Sequence, residues 1–278
     1  MIPTRKLGRT NYHATIFGLG GEGILRTSGY FKEAELVIKK AAEVGVNYFD
    51  TAPAYQQSRD YLGKFLCNYA KRENVFLASK THDRTYEGTL SLVEDSLRRL
   101  NTDYLDLLQL HDLREKDDLI EIFSDSGAIH ALKELKKQGK VRFLGITGHH
   151  HPGILIEAIK RYDFDTVLLC ANAGDSHYTP FITTVIPEAR KKGMGVIAMK
   201  VASQGHALSS IDMEEAFNFS LSQDVDLAII GCRTPQEVGQ NASLAMNFKP
   251  LSREELAKIE NKTRNFVAET NFFKKGMY

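Results

Sequence analysis

Eight short apolar runs, separated by stretches of helical periodicity, predict an α/β chain with a parallel sheet buried on both faces. That number of strand–helix units is the number in a (β/α)8 TIM barrel. Three observations carry the prediction. The runs are nearly continuous in Val, Ile, Leu and Phe rather than alternating, they recur about every thirty residues, and the gaps hold apolar residues at helical spacing. An open doubly wound sheet is the architectural alternative.

Taken in order, the runs are TIFGLG from Thr15, NYFDTA from Asn47, VFLASK from Val75, LDLLQLH from Leu105, VRFLGIT from Val141, TVLLCAN from Thr166, GVIAMK from Gly195 and LAIIGC from Leu227. After the first, Ala34, Val37, Ile38 and Ala41 fall at i, i+3, i+4 and i+7, which lines one helical face, and Gly45 follows as a stop. Leu90, Val93, Leu97 and Leu100 repeat the stripe before the fourth run. Gly139 and Gly193 each sit between a Lys-rich helix end and the next strand, where cations complement the helix dipole and glycine accepts a left-handed turn. GLGGEG from Gly18 has the wrong glycine spacing for a Rossmann fingerprint. Beyond the eighth run, PQEVGQNASLAM and SREELAKIENKTRNFVA read as two further helices, and the last ten residues as a polar and aromatic tail. No linker or composition shift divides the chain, so one domain over 1–278 is expected.

With 42% hydrophobic and 26% charged residues, the 278-residue chain can bury a large core. A formal charge of +1 supplies no field for a polyanion, which argues against nucleic acid as a partner. No run reaches the roughly 20 apolar residues of a membrane span, and the polar start MIPTRKLGRTNYH lacks a signal-peptide core, so a cytoplasmic location is expected. Cys67, Cys170 and Cys232 are odd in number and widely spaced, which suits reduced thiols buried as small hydrophobes. No motif bears on oligomeric state.

In a barrel, the residue just past the apolar part of a strand points into the mouth. Asp50 follows NYF, Lys80 follows VFLAS and His111 follows LDLLQL, so three ionisable groups of different chemistry end consecutive strands. Taken singly, Asp50 caps a turn before Pro53 as readily as it acts, Lys80 is as well read as reaching solvent, and His111 as a satisfied half-buried histidine. Tyr55 alone is a packing aromatic in a loop. Their joint occurrence favours a site. Later strands end in Thr147, Asn172, Lys200 and Arg233, and this electropositive half-mouth suits an anionic cofactor. His149, His150 and His151 are adjacent and precede Pro152 at a helix start; adjacent residues do not easily converge on one ion, so loop histidines and no metal are expected.

VNYFDTAPAY, LASK and LLQLHD resemble the aldo-keto reductase family, with Asp50, Tyr55, Lys80 and His111 in that family's order and spacing. RKLGRT and FGLG resemble the family's N-terminal hairpin, which plugs the barrel, while GITGHHHP, KGMGVIAMK and IIGCRTPQEVGQN resemble a bacterial branch. No cysteine follows Cys232, so an iron–sulfur appendage found in some relatives is not expected. The resemblance implies hydride transfer between NADP(H), with NAD(H) as the other option, and a small-molecule aldehyde or ketone. Tyr55 would donate the proton, Lys80 would lower its pKa, Asp50 would keep Lys80 charged, and neutral His111 would orient the carbonyl.

For the cofactor, the resemblance implies Thr147 and Gly148 where relatives carry Ser-Asn, Asn172 for a glutamine, and Met199 where a tyrosine stacks on the nicotinamide. It further implies Lys200 with the backbone of Val201 to Gly205 at the pyrophosphate, Arg233 at a 2′-phosphate, Gln240 and Asn241 at the adenine, and Gly21 and Gly231 in the same set. Glu237 stands where NADPH-dependent relatives carry arginine, a carboxylate that repels a phosphate. Two readings compete: a barrel aldolase forming a Schiff base on Lys80, which pairing with Asp50 disfavours, and a non-catalytic or slow nicotinamide-binding regulator.

Overall fold

A computed structural model describes residues 1–274. All eight apolar runs are strands of one closed parallel barrel, as expected. A hairpin precedes it, with β1 (Thr4–Lys6) antiparallel to β2 (His13–Thr15). The barrel follows as β3 (Phe17–Gly23), β4 (Tyr48–Asp50), β5 (Phe76–Thr81), β6 (Leu105–Leu110), β7 (Val141–Gly148), β8 (Thr166–Cys170), β9 (Gly195–Met199) and β10 (Leu227–Cys232). Closure is between β10 and β3, where Ala228 pairs with Phe17.

The helices are α1 (Phe31–Glu43), α2 (Ser58–Tyr69), α3 (Tyr86–Leu100), α4 (Lys116–Ile122), α5 (Ala128–Lys137), α6 (Pro152–Arg161), α7 (Val185–Lys191), α8 (Met213–Leu221), α9 (Pro235–Asn247), α10 (Arg253–Thr263) and α11 (Val267–Asn271). Their apolar stripes cover the outside of the barrel. In α1, Ala34, Val37, Ile38 and Ala41 are fully buried, and Gly45 ends the helix with φ +87°. Gly139 and Gly193 take the same left-handed turn, at φ +75° and +66°.

Two apolar layers result: one between strands and helices, the other inside the barrel. The inner one is aromatic, with Phe76 stacked between Tyr48 at 5.3 Å and Phe143 at 6.1 Å between ring centroids. The hairpin seals one end of it, since Leu7 and Ala14 are buried against Tyr48, Phe76, Leu107, Ile197 and Leu227. Gly8 makes this closure feasible. It has φ +44°, and a Cβ there would lie 2.1 Å from the Gly195 nitrogen at the start of β9. The plug therefore occupies the N-terminal end of the strands and leaves the C-terminal end open.

The C-terminal segment differs from the expected tail. Glu269 to Asn271 belong to α11, and Lys274 is buried, its Nζ donating to Asp175 Oδ1 at 2.7 Å and to the Tyr178 carbonyl at 2.6 Å. The last four residues of the expected tail lie outside the described residues. Cys170 and Cys232 are buried as expected, but Cys67 is exposed on α2. Among the described residues no helix is long and apolar enough to cross a membrane.

Candidate active site

Strand alternation builds the site. On β5, Phe76 and Ala78 face the barrel interior, so Lys80 does too, and on β6 Leu107 places Gln109 and then His111 on the same face. Asp50 ends β4 beside them. Its carboxylate Oδ2 accepts from Lys80 Nζ at 2.5 Å, and the same ammonium donates to the Thr51 carbonyl at 2.9 Å. Both side chains are 1% exposed. Burial pushes the Asp50 carboxyl up and the Lys80 ammonium down, and the contact between them opposes both shifts, holding the charged pair together.

Tyr55 lies in the loop after β4, with Lys80 Nζ 4.7 Å from its ring centroid and the His111 imidazole edge-on at 5.7 Å. Thus Asp50, Tyr55, Lys80 and His111 meet at the open end of the barrel. Burial raises the Tyr55 phenol well above its ordinary value, reinforced by Asp50 and Glu22 and opposed by Arg26, so the phenol holds its proton. Burial, then Lys80, lowers His111 to about 2, which keeps the imidazole neutral. Gly21 makes room for the phenol: a Cβ there would come within 2.6 Å of Tyr55 Cδ2 and 2.8 Å of the Asp50 carbonyl oxygen.

Around this quartet, the remaining strand-end residues divide into two groups. Thr147 and Gly148 end β7, where Thr147 Oγ1 accepts the Asp112 N–H at 2.9 Å. Asn172 is fully buried in the loop after β8, its Oδ1 accepting the Gly174 N–H at 2.9 Å while its Nδ2 has no hydrogen-bond partner. Met199 and Lys200 are half-buried at the end of β9, and Val201 is buried next to them. The loop they open is strained, since Lys200, Ser203 and Gln204 all have positive φ, as does the exposed Gly205.

The second group sits at the end of β10. Gly231 packs against Glu22 of β3, whose Cβ would be 2.7 Å from any Cβ placed there. Arg233 and Gln240 are exposed, and the Arg233 N–H donates to Glu237 Oε2 at 2.7 Å. Asn241 faces inward, its Nδ2 donating to Cys232 Sγ at 3.4 Å. Alternation from Phe143 and Ile197 puts Thr147 and Met199 on the interior face, with Asn172 and Lys200 just past the ends of β8 and β9, whereas Asn241 is buried on the inward face of α9.

A family model described as the aldo/keto reductase family matches residues 16–224. The chain belongs to the aldo/keto reductase family. It is 30% identical over 217 residues to an L-galactose dehydrogenase of Arabidopsis thaliana, covering 73% of this chain and 66% of that protein. It is also 31% identical over 180 residues to the uncharacterized oxidoreductase YqkF of Bacillus subtilis, covering 59% and 55%. The matched segment thus spans 66% and 55% of the length of these curated relatives. Among solved structures, the holo form of an aldo-keto reductase from Bacillus halodurans superposes with a TM-score of 0.80 at 25% identity, covering 94% of this chain and 96% of that one. An aldo-keto reductase from Klebsiella pneumoniae in complex with NADPH shares the fold, with a TM-score of 0.75 at 22% identity over 95% and 96%.

In this family member, several groups at the site escape sequence reasoning. Gln109 Nε2 approaches Asp50 Oδ1 at 3.4 Å, a neighbour that the alternation of β6 could have revealed. Glu22 and Arg26 pair at 2.8 Å, and the Arg26 guanidinium lies 5.3 Å from the Tyr55 ring centroid. Their i, i+4 spacing across the end of β3 was a signal for the pair but not for its place over the phenol. Adjacent His149 and His150 do converge: His149 Nδ1 and His150 Nε2 each lie 3.2 Å from Asp112 Oδ1, whereas His151 is exposed and caps α6.

Proposed function

We propose that the chain is a nicotinamide-dependent oxidoreductase reducing aldehydes or ketones to alcohols, with Tyr55 as the general acid. The observation that carries this is the Lys80 ammonium held between the Asp50 carboxylate and the Tyr55 ring, with neutral His111 at the phenol's edge. A carbonyl that accepts hydride becomes an alkoxide and takes a proton. Tyr55 enters protonated and gives up that proton, and Lys80 stabilises the phenolate charge as it develops. Asp50 keeps the ammonium charged inside the barrel, and His111 donates a hydrogen bond that orients the carbonyl oxygen.

The residues suit NADP(H), which when bound would supply the hydride. The unpartnered Asn172 Nδ2 and the Thr147 hydroxyl would hold its carboxamide, Met199 would cover the ring, and Lys200 with the loop to Gly205 would meet the pyrophosphate. The exposed Arg233 would take the 2′-phosphate, because Glu237 is turned back onto the Arg233 amide. NAD(H) is the competing cofactor. The dehydrogenase and oxidoreductase relatives and the NADPH-bound structural neighbour support this reading.

The test is NADPH oxidation with a panel of aldehydes and ketones, alongside fluorescence titration with NADPH and NADH. Tyr55→Phe should lose about 10²–10⁴-fold in turnover with NADPH binding retained. Undiminished turnover would remove Tyr55 as the acid, and a borohydride-trapped adduct on Lys80 would point to an aldolase instead.

A further inference from the structure

Asp112, His149 and His150 stand beside the quartet but have no part in the proposed reduction. Asp112 follows His111 directly and has φ +56°, a left-handed conformation that turns its side chain toward the loop after β7. Two hydrogen bonds tie these loops together, Asp112 N–H to Thr147 Oγ1 at 2.9 Å and Leu113 N–H to the Thr147 carbonyl at 2.8 Å. The two imidazoles therefore arrive at one carboxylate oxygen from adjacent residues, using different ring nitrogens.

Well-formed hydrogen bonds do not account for the cluster. Asp112 Oδ1 and His150 Nε2 are both shielded from solvent and lie 3.2 Å apart, close enough for His150 to hold the carboxyl down, yet they meet outside the angles of a well-formed hydrogen bond. Burying polar atoms without a well-formed hydrogen bond is unfavourable, so a shared partner is favoured. The other carboxylate oxygen is occupied, since Arg114 Nε and Nη2 hold Oδ2 at 2.8 and 2.7 Å. That contact orients Asp112 and leaves Oδ1 as the free donor.

We propose that Asp112 Oδ1, His149 Nδ1 and His150 Nε2 form a binding site for one divalent transition-metal ion of the zinc class at the mouth of the barrel. The spacing suits this. Bonds of about 2.0–2.1 Å around a tetrahedral ion place its ligand atoms about 3.3 Å apart. The two histidine-to-carboxylate separations are 3.2 Å, and all three donor atoms lie within 4.8 Å of one another. Two imidazoles and a carboxylate are donors for zinc rather than for calcium or magnesium, and three protein ligands leave a position for water or a substrate oxygen. Arg114 and Lys200 add positive charge nearby, which makes the site weaker than a structural zinc centre.

The inference is independent of the reductase reading, and its test needs no activity. The untagged chain, stripped with a chelator, is titrated with Zn2+ against a chromophoric competitor and, separately, with Co2+ followed by visible absorption. One Zn2+ per chain and intense tetrahedral-type Co2+ bands are expected. His150→Ala and Asp112→Asn should each weaken Zn2+ binding at least tenfold, while His151→Ala, which alters a neighbouring histidine outside the cluster, should leave it unchanged. Absence of Zn2+ binding, unaltered affinity in His150→Ala and Asp112→Asn, or equal loss in His151→Ala would overturn the assignment. If a variant does not fold, as judged by circular dichroism, the wild-type Co2+ spectrum decides, and weak octahedral-type bands alone would reject the site.

Discussion

Lys80 has two partners that pull its proton in opposite directions: Asp50 holds it at 2.5 Å, and the proposed Tyr55 phenolate would share it only as the reaction proceeds. Replacing Lys80 by Met in an Asp50→Asn background avoids leaving a lone carboxylate in the barrel. That double variant should turn over slowly, and the pH–rate break assigned to Tyr55 should move to higher pH; an unmoved break would remove the electrostatic role of Lys80. Gly21 acts through space rather than charge. Gly21→Ala puts a methyl 2.6 Å from the Tyr55 ring, with the Asp50 backbone blocking retreat, so kcat should fall roughly 10- to 100-fold while circular dichroism is unchanged. Normal kcat would show that the phenol has room to shift. The quartet itself was legible because strand ends are periodic positions. The alternation of β6 marks Gln109 and the i, i+4 spacing marks the Glu22–Arg26 pair, but their places beside Asp50 and over the Tyr55 ring were not legible, because those are contacts between segments distant in sequence.

At the scale of elements, charge joins α2 to α3. Asp95 of α3 receives Arg59 of α2 at 2.9 Å and Arg99 at 3.0 Å, with Arg98 also bonded, and Arg99 reaches back to Asp60 of α2 at 2.8 Å. Partial burial pushes the Asp95 carboxyl up, but Arg59, Arg98 and Arg99 outweigh it and hold it below its ordinary value. A carboxyl depressed in the folded state contributes stability above its unfolded pKa of about 3.9 and loses it as pH falls through the folded value. Asp95→Asn should therefore cost about 1 kcal/mol at pH 7 in guanidinium denaturation, with the difference from wild type closing as the pH falls below the unfolded value of about 3.9 and through the lower folded one. A pH-independent difference would mean that packing, not charge, is lost. The helical stripes were readable from spacing alone, since a period near 3.6 needs no partner to define it. This network was not, because Arg59 and Asp95 lie on different helices.

Across the whole molecule, the segment 263–274 is fastened to the loops that surround the candidate cofactor site. Asn271 Nδ2 donates to the Gly174 carbonyl at 2.9 Å, Thr263 Oγ1 to that of Ala173 at 3.0 Å, and Ser203 Oγ to that of Thr270 at 2.9 Å. The buried Lys274–Asp175 pair locks this strap beside Asn172. Lys274→Met strands the Asp175 carboxylate and should cost about 3–5 kcal/mol in chemical denaturation, with weaker NADPH binding in fluorescence titration. A loss under about 1 kcal/mol would show that the strap does not hold the loop.

The order of apolar runs, helical stripes and left-handed glycine stops determined the barrel, because burial on both faces of a parallel strand leaves a local, one-dimensional record. The same record marked Asp50, Lys80 and His111, each at a strand's end. Tertiary structure alone decided what those residues meet: the phenol over Lys80, the aspartate shared by two adjacent histidines, the inward turn of Asn241 and the lysine buried in the C-terminal strap. These are contacts between segments distant in sequence or loops bent by strained backbone, and hydrophobic periodicity carries no information about either.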